Sequence, residues 1–430
     1  MKKLLKVTAC ALLAMVPADA VLAQTLEECQ QAAERNYPLV KKFAMLSRMT
    51  DYTVSNIQKG WLPQLTASAQ ATYQSDVASW PSAFSTLMQQ VGVEPAGLRK
   101  DQYKIGIDVQ QTVYDGGTIH SQKAIARSQG DVGQAQNAVE LYAVRKRVNE
   151  LYFGLLLLHD KKQLNEDLQY LLAENERKLS SMFQHGTAAE CDYQLVKAEH
   201  LAAVQQMTLL QSQERAFRQM LSHLCGMEVN QVSKPPVVVS TGENNRPELK
   251  LIHQQLKLVQ AQRKALDSQL RPRLSIFASG YYGYPGLNMF DDMMKHQWSL
   301  NGMVGARLTW NIGALYTRKA DKAQLDTQCS LYELQREQFL FNTTLEQIQL
   351  DENIENFRRL MADDDEIIRL RSAVRKSSES KLSHGVIDAS ELVRQITQEN
   401  NAKTQRSLHE IEMLREIYHH KYTIDNSYSQ

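Results

Sequence analysis

The chain has 430 residues, 23% of them charged and only 7% aromatic, with a formal net charge of +1. That balance argues against nucleic-acid binding, which wants a basic stripe. Outside the N-terminal segment no uninterrupted apolar run is long enough for a transmembrane helix, which needs about 18 residues or more.

Taken in order, the chain opens on a secretory signal: Lys2, Lys3 and Lys6, an apolar run over 7–16, and Val21-Leu22-Ala23 as a small-residue cleavage site. Almost no apolar run precedes Cys10, so lipidation there is not expected. Cleavage after Ala23 starts the mature chain at Gln24 and leaves Cys29, Cys191, Cys225 and Cys329. The even count permits disulfides, but no CxxC and no paired spacing predicts one, so isolated thiols in helices are expected.

Residues 25–59 read as helical, broken at Asn36-Tyr37-Pro38. Over 64–75 the odd positions are Leu65, Ala67, Ala69, Ala71 and Tyr73, and the even ones are polar. Over 102–113 Tyr103, Ile105, Ile107, Val109 and Val113 alternate with Lys104, Gly106, Asp108, Gln110 and Thr112. A period of two predicts strands with one apolar and one polar face, and each run has the length of a tilted membrane strand. Between them 76–100, punctuated by Pro81, Gly92, Pro95 and Gly97, reads as a long loop.

From 118 to 184 the texture is helical and free of proline. Val144, Val148, Leu151, Leu155 and Leu158 form a heptad seam, continued by Leu168, Leu171, Leu179 and Met182 with Asn175 in the gap. At 1.5 Å per residue such a helix is on the order of 100 Å long. Gly186 interrupts it, and a second helix covers about 188–224. The stretch 227–245 reads as a linker. A helix over 247–270, strands over 273–284 and 298–310, a long helix over 315–382, a break at Gly385 and a helix over 389–419 follow, then a polar tail over 420–430. In the second strand pair Leu274, Ile276, Ala278, Tyr282 and Tyr284, then Trp298, Leu300, Val304, Ala306, Leu308 and Trp310, form the apolar faces. Tyr73, Tyr103, Trp298 and Trp310 are placed as an interfacial aromatic girdle would be.

The order of features repeats. Asn36-Tyr37-Pro38 pairs with Asn245-Arg246-Pro247, Leu62-Pro63-Gln64-Leu65 with Arg271-Pro272-Arg273-Leu274, and Gln184-His185-Gly186-Thr187 with Ser383-His384-Gly385-Val386. The expected organisation is a signal over 1–23, a first repeat over 24–226, a linker over 227–245, a second repeat over 246–419 and the tail. A sheet in a bilayer must close, because no water satisfies an open edge. Four strands cannot close, since about eight is the smallest barrel seen. A shared barrel continued by long polar helices is therefore expected.

At this point the chain resembles the TolC-type outer-membrane efflux protein family. The resemblance is carried by Asn36-Tyr37-Pro38, by Trp61-Leu62-Pro63 before a strand, by Tyr114-Asp115-Gly116-Gly117 before a long helix and by the two helix-break glycines. It implies a mainly α fold: a coiled-coil helical barrel, with four strands per chain completing a twelve-stranded barrel in a homotrimer. It also implies an outer-membrane location, contact with outer-membrane lipid, docking to a periplasmic adaptor and an inner-membrane pump, and passive export of small molecules or proteins. His185, Gly186, Thr187, His384, Gly385 and Val386 fall at the helix tips where that family docks its adaptor. Asp192 and Glu391 fall at the family's entrance carboxylates. Arg394 stands where a second acidic residue occurs in the prototype, and at i,i+3 it is spaced to pair with Glu391.

No catalytic motif stands out, so an enzyme is not expected, nor a cofactor or a resident metal. Met289, Met293, Met294 and Met303 are ordinary loop and barrel residues on this reading, and the histidines before the glycines are expected to cap helix ends. The competing reading is a periplasmic coiled-coil scaffold or adaptor with no pore.

Overall fold

The computed structural model describes residues 23–92, 97–237 and 244–424. The expected signal segment up to residue 22, Pro95 of the first hairpin, 238–243 of the linker and the last six residues of the tail lie outside the described residues. In chain order the elements are α1 (Leu26–Asn36), α2 (Leu39–Gln58), a 3-10 turn (Lys59–Trp61), β1 (Gln64–Tyr73), α3 (Ser82–Gln90), β2 (Asp101–Tyr114), α4 (Thr118–Gln184) and α5 (Glu190–Cys225). There follow α6 (Pro247–Gln269), β3 (Arg273–Tyr284), α7 (Met289–Lys295), β4 (Ser299–Thr309), α8 (Ala314–Ser383) and α9 (Ala389–Ile424).

Three details differ from the sequence reading. The stretch 76–100 is not a plain loop, because it contains α3, and the second hairpin likewise contains α7. The loop residues there gain a small core of their own, with Leu98, Tyr284 and Met293 buried, Trp80 stacked 5.0 Å from Phe84 and tilted against Phe290 at 5.4 Å. Long-range aromatic contact of this kind has no local periodicity. Finally, α9 continues to Ile424, held by stacking of Tyr422 on Tyr142 at 4.4 Å.

The chain divides into two compact units. One holds the residues up to Val40, Val139–Arg246 and Phe341 onward; the other holds Lys41–Ala138 and Pro247–Leu340. The first is helical. Its α1 starts with a capping box, in which the Thr25 hydroxyl accepts from the Glu28 amide and the Glu28 carboxylate accepts from the Thr25 amide. Leu26, Cys29 and Ala33 lie on one face and are fully buried in one core with Val148, Leu151 and Leu155 of the seam, with the off-seam Tyr152, and with Leu221 and Cys225. The Ile411, Leu414 and Ile417 positions of α9 complete that core. Asn175, the polar residue of the seam, is buried and donates back to the Leu171 carbonyl at 2.9 Å, which leaves the seam intact.

The second unit holds one antiparallel sheet in the order β1-β2-β3-β4. The strand-to-helix corner after β2 follows from Asp115-Gly116-Gly117. The Asp115 carboxylate accepts from the Gly117 and Ile119 amides at 2.8 and 2.6 Å and so caps α4. Gly116 has φ +68°, and a Cβ there would lie 2.8 Å from the Arg271 Cβ, so only glycine fits. Among the described residues no helix is long and apolar enough to cross a membrane.

Candidate functional site

The sheet of the second unit and the helix tips of the first carry the expected functional residues.

The sheet register sorts the strands into two faces. Leu65 lies opposite Val109, Val109 opposite Ala278, and Ala278 opposite Val304. The next row is Ala67, Ile107, Gly280 and Gly302, and the next Ala69, Ile105, Tyr282 and Leu300. One face is therefore apolar across all four strands, and it is bare: Leu65, Leu300 and Val304 are 71, 83 and 82% exposed. Exposed apolar patches of this kind mark surfaces made for lipid or a partner. The opposite face carries Thr66, Asp108 and Ser279 in one row and Gln70 and Lys104 in another. Its two aromatic residues are topped by cations, with Lys104 Nζ 4.1 Å from the Tyr281 ring centre and the Arg307 guanidinium 5.2 Å from that of Phe277.

One expected position changes. A bulge between Thr112 and Tyr114 sets Tyr114, not Val113, opposite Leu274. The extra residue shifts the pleat by one, so the last apolar place on β2 passes to Tyr114. Tyr73, Tyr103 and Trp298 lie at the hairpin end of the sheet, with Tyr103 and Trp298 stacked at 5.9 Å and Tyr282 joining them at 5.4 Å. Trp310 follows β4 at the other end and donates its indole N–H to the Leu270 carbonyl at 2.8 Å. All four expected girdle residues are exposed.

The tips are built alike. Gly186 and Gly385 are left-handed, with φ +73° and +69°. The Gly186 amide donates to Phe183 and the Thr187 amide to Met182; the Gly385 amide donates to Leu382 and the Val386 amide to Lys381, all at 2.8 to 2.9 Å. This is the Schellman ending, which satisfies the last carbonyls of α4 and α8. His185 Nδ1 lies 2.7 Å from the Ser181 carbonyl and His384 Nδ1 2.7 Å from that of Ser380, so each ring donates to its own helix end as a cap. Beneath the tips Leu172, Leu179, Val196, Leu382, Leu392 and Ile396 pack together, so the two turns share one core.

The carboxylates are engaged. Asp192 accepts from the Ala389 amide at 3.3 Å, joining α5 to the first turn of α9. Its negative charge sits at a helix N-terminus, where the dipole favours it. Glu391 pairs with Arg394, as the spacing expected, and also accepts from Gln395 at 2.8 Å. The Gln395 and Arg394 hydrogen bonds hold the Glu391 carboxyl below the usual range. Asp388 was not singled out in the sequence. It caps α9 by accepting from the Glu391 amide at 3.0 Å and the Ser390 hydroxyl at 2.7 Å, which lowers its pKa too. The pattern Asp388-Ala389-Ser390-Glu391 is a helix-start signal that would have found it. Among the described residues no group of His, Cys, Asp and Glu is arranged to hold a metal ion.

No protein-family model matches the sequence, and no curated protein matches it. Solved structures do. The chain is similar to the outer-membrane channel OprN, at 14% identity over 93% of this chain and 89% of that one, with a TM-score of 0.66. It is similar to the outer membrane protein VceC from Vibrio cholerae, at 12% identity over 93% and 95%, TM-score 0.64. It is similar as well to the open state of the Neisseria gonorrhoeae MtrE outer membrane channel, at 13% identity over 93% and 88%, TM-score 0.64. Near-complete coverage in both directions, with the open sheet and the paired helix tips, gives the conclusion that this chain has the TolC-type outer-membrane channel fold.

Proposed function

We propose that the protein is the outer-membrane duct of an export machine. Copies of the chain, three on the resemblance, pool their sheets into one closed barrel. The long helices continue that barrel as a periplasmic passage. Small molecules or proteins reach it from an inner-membrane pump through a periplasmic adaptor, and the duct itself does no chemistry.

The reading rests on the sheet. It is antiparallel, apolar and bare on one face, polar on the other, and β1 and β4 stand at its edges with no further strand among the described residues to pair them. In a bilayer an open edge leaves backbone groups without partners, at several kcal/mol each. More copies supply the missing strands. The fold shared with solved outer-membrane channels supports the same assembly and location. A pore-free periplasmic scaffold has no use for an apolar sheet face ringed by Tyr103, Trp298 and Trp310.

The tips take the adaptor and form the entrance in this reading. His185, Gly186, Thr187, His384, Gly385 and Val386 make the docking turns, and Asp192, Glu391 and Arg394 line the aperture. The matched hydrogen bonding of the two turns supports an internal duplication.

The test is the native mass of protein extracted with detergent from the envelope, against a chain of 49.0 kDa less its removed signal. A trimeric mass and a conducting pore in planar bilayers are expected. A soluble monomer would overturn the duct. In the pore, the double variant Asp192→Ala with Glu391→Ala should change conductance or cation block, and an unchanged pore would remove both residues from the entrance.

A further inference from the structure

All four cysteines are free thiols, as expected, but two of them are neighbours. Cys29 of α1 and Cys225, the last residue of α5, meet in the main core of the helical unit, 0 and 4% exposed. The Cys225 thiol donates to the Cys29 carbonyl oxygen at 3.4 Å, and the two thiols are close enough for each to shift the other's pKa. Their positions are held from both sides. Asn36, two turns along α1, donates to the His223 and Leu224 carbonyls at 3.1 Å and so closes the end of α5. At the other end of α1, the Gln24 amide donates to the Gln231 carbonyl at 2.9 Å and Tyr152 donates to the Gln24 carbonyl at 2.8 Å. Cys191, by contrast, is exposed near a tip, and Cys329 is partly exposed on α8.

We propose that Cys29 and Cys225 form a disulfide in the exported protein, a covalent clasp between α1 and the end of α5. It rests on the export reading, because disulfides persist in oxidising compartments such as the periplasm. The oxidant is a disulfide donor, either a thiol oxidoreductase in its disulfide form or a small-molecule disulfide. The Cys225 thiolate attacks the donor, giving a mixed disulfide and one donor thiolate. Cys29 then loses its proton and attacks the Cys225 sulfur, forming the clasp and expelling the second donor thiolate. Two protein thiols are oxidised and one donor disulfide is reduced to two thiols. The closeness of the two thiols favours this order, since it lowers the Cys225 pKa and raises that of Cys29.

Both sulfurs are enclosed once the core has packed, so the bond closes while the chain folds. It turns everything from α1 to α5, the first strand pair included, into one covalent ring, separated in sequence by 196 positions. Loops of that length gain the most from closure.

The full chain is recovered from the envelope, denatured without reductant, and counted with a maleimide mass tag before and after reduction. Reduction should add two tags, and it should add none in Cys29→Ser with Cys225→Ser. Reductant applied to the folded protein should add none. An equal tag count with and without reduction overturns the clasp. Fractionation of the same cells reports separately on export. Should the chain be found in the cytosol, the export reading fails and the clasp is judged on chain unfolded and refolded with oxidised glutathione. A gain of two tags on reduction then supports the pairing, and no gain overturns it.

Discussion

At the scale of single residues, the two break glycines make the sharpest forecast. Nothing lies within 4 Å of a Cβ built on Gly186 or Gly385, so only the left-handed backbone resists substitution. Gly385→Ala should cost about 1–2 kcal/mol, and Gly385→Asn less, read as faster amide exchange in the tip. Equal exchange in all three proteins would refute the assignment. Gly154 is the opposite case. An alanine there gains helix propensity, about 1 kcal/mol, but its Cβ would sit 2.5 Å from the Phe217 ring. Overpacking costs about 1–3 kcal/mol, so Gly154→Ala should lower the denaturation midpoint, and Phe217→Leu in the same chain should restore it. Asp388 makes a pH prediction. Its folded pKa is lowered, so its contribution is full above the ordinary carboxylate value, about 3.9, and is lost as pH falls through and below that range. Asp388→Asn keeps the cap and removes the titration. The exchange ratio of the two proteins in the first turn of α9 should therefore change between pH 3 and pH 6.

Residue chemistry was legible where it is local. Glycine breaks, the histidine caps and the Glu391–Arg394 spacing were all readable from neighbours in sequence. The Cys29–Cys225 meeting was not, because no local spacing connects residues joined only by packing of α1 on α5.

At the scale of elements, period and length placed nearly every helix and strand, and the seam positions Val144, Val148, Leu151 and Leu155 are buried as the heptad requires. The misses share a cause. The β2 bulge changes parity without changing residue type, and α3 and α7 depend on the Trp80–Phe290 contact between separate hairpins. Between α8 and α9 the structure adds an interlock that no heptad position announced. Glu399, buried in the α8–α9 packing, is bridged by Arg375 and by Lys403. Burial pushes its carboxyl up, and the Lys403 and Arg375 hydrogen bonds more than reverse that, leaving it below the usual range. Stripping one partner from a buried pair costs about 3–5 kcal/mol. Arg375→Met should approach the low end, since Lys403 remains, and Arg375→Met with Glu399→Leu should recover much of the loss in denaturant titrations.

At the scale of the whole molecule, the two faces of the sheet predict unlike responses to the same side chain. Val304→Arg places a charge in the middle of the bare apolar face, where a bilayer penalises it by about 2–4 kcal/mol. Thr66→Arg places it on the polar face. The first should reduce the folded protein recovered in the envelope fraction, and the second should not. Equal recovery would mean that the apolar face meets something other than lipid. This scale was only half readable in the sequence. Strand length and alternation led to the expectation of a shared sheet, but in the proposed barrel the partners lie in other chains, where no pattern within one chain can point.

The bare edges of β1 and β4 also have a genetic meaning. In the proposed shared barrel each edge strand is complete only when another copy lends its neighbour, so a defect in one copy becomes a defect of every assembly that admits it. In a cell making equal amounts of sound and edge-broken chains, random mixing in threes leaves only about one assembly in eight free of the fault. A single damaged allele would therefore behave as dominant, through nothing more than two rows of backbone groups awaiting a neighbour.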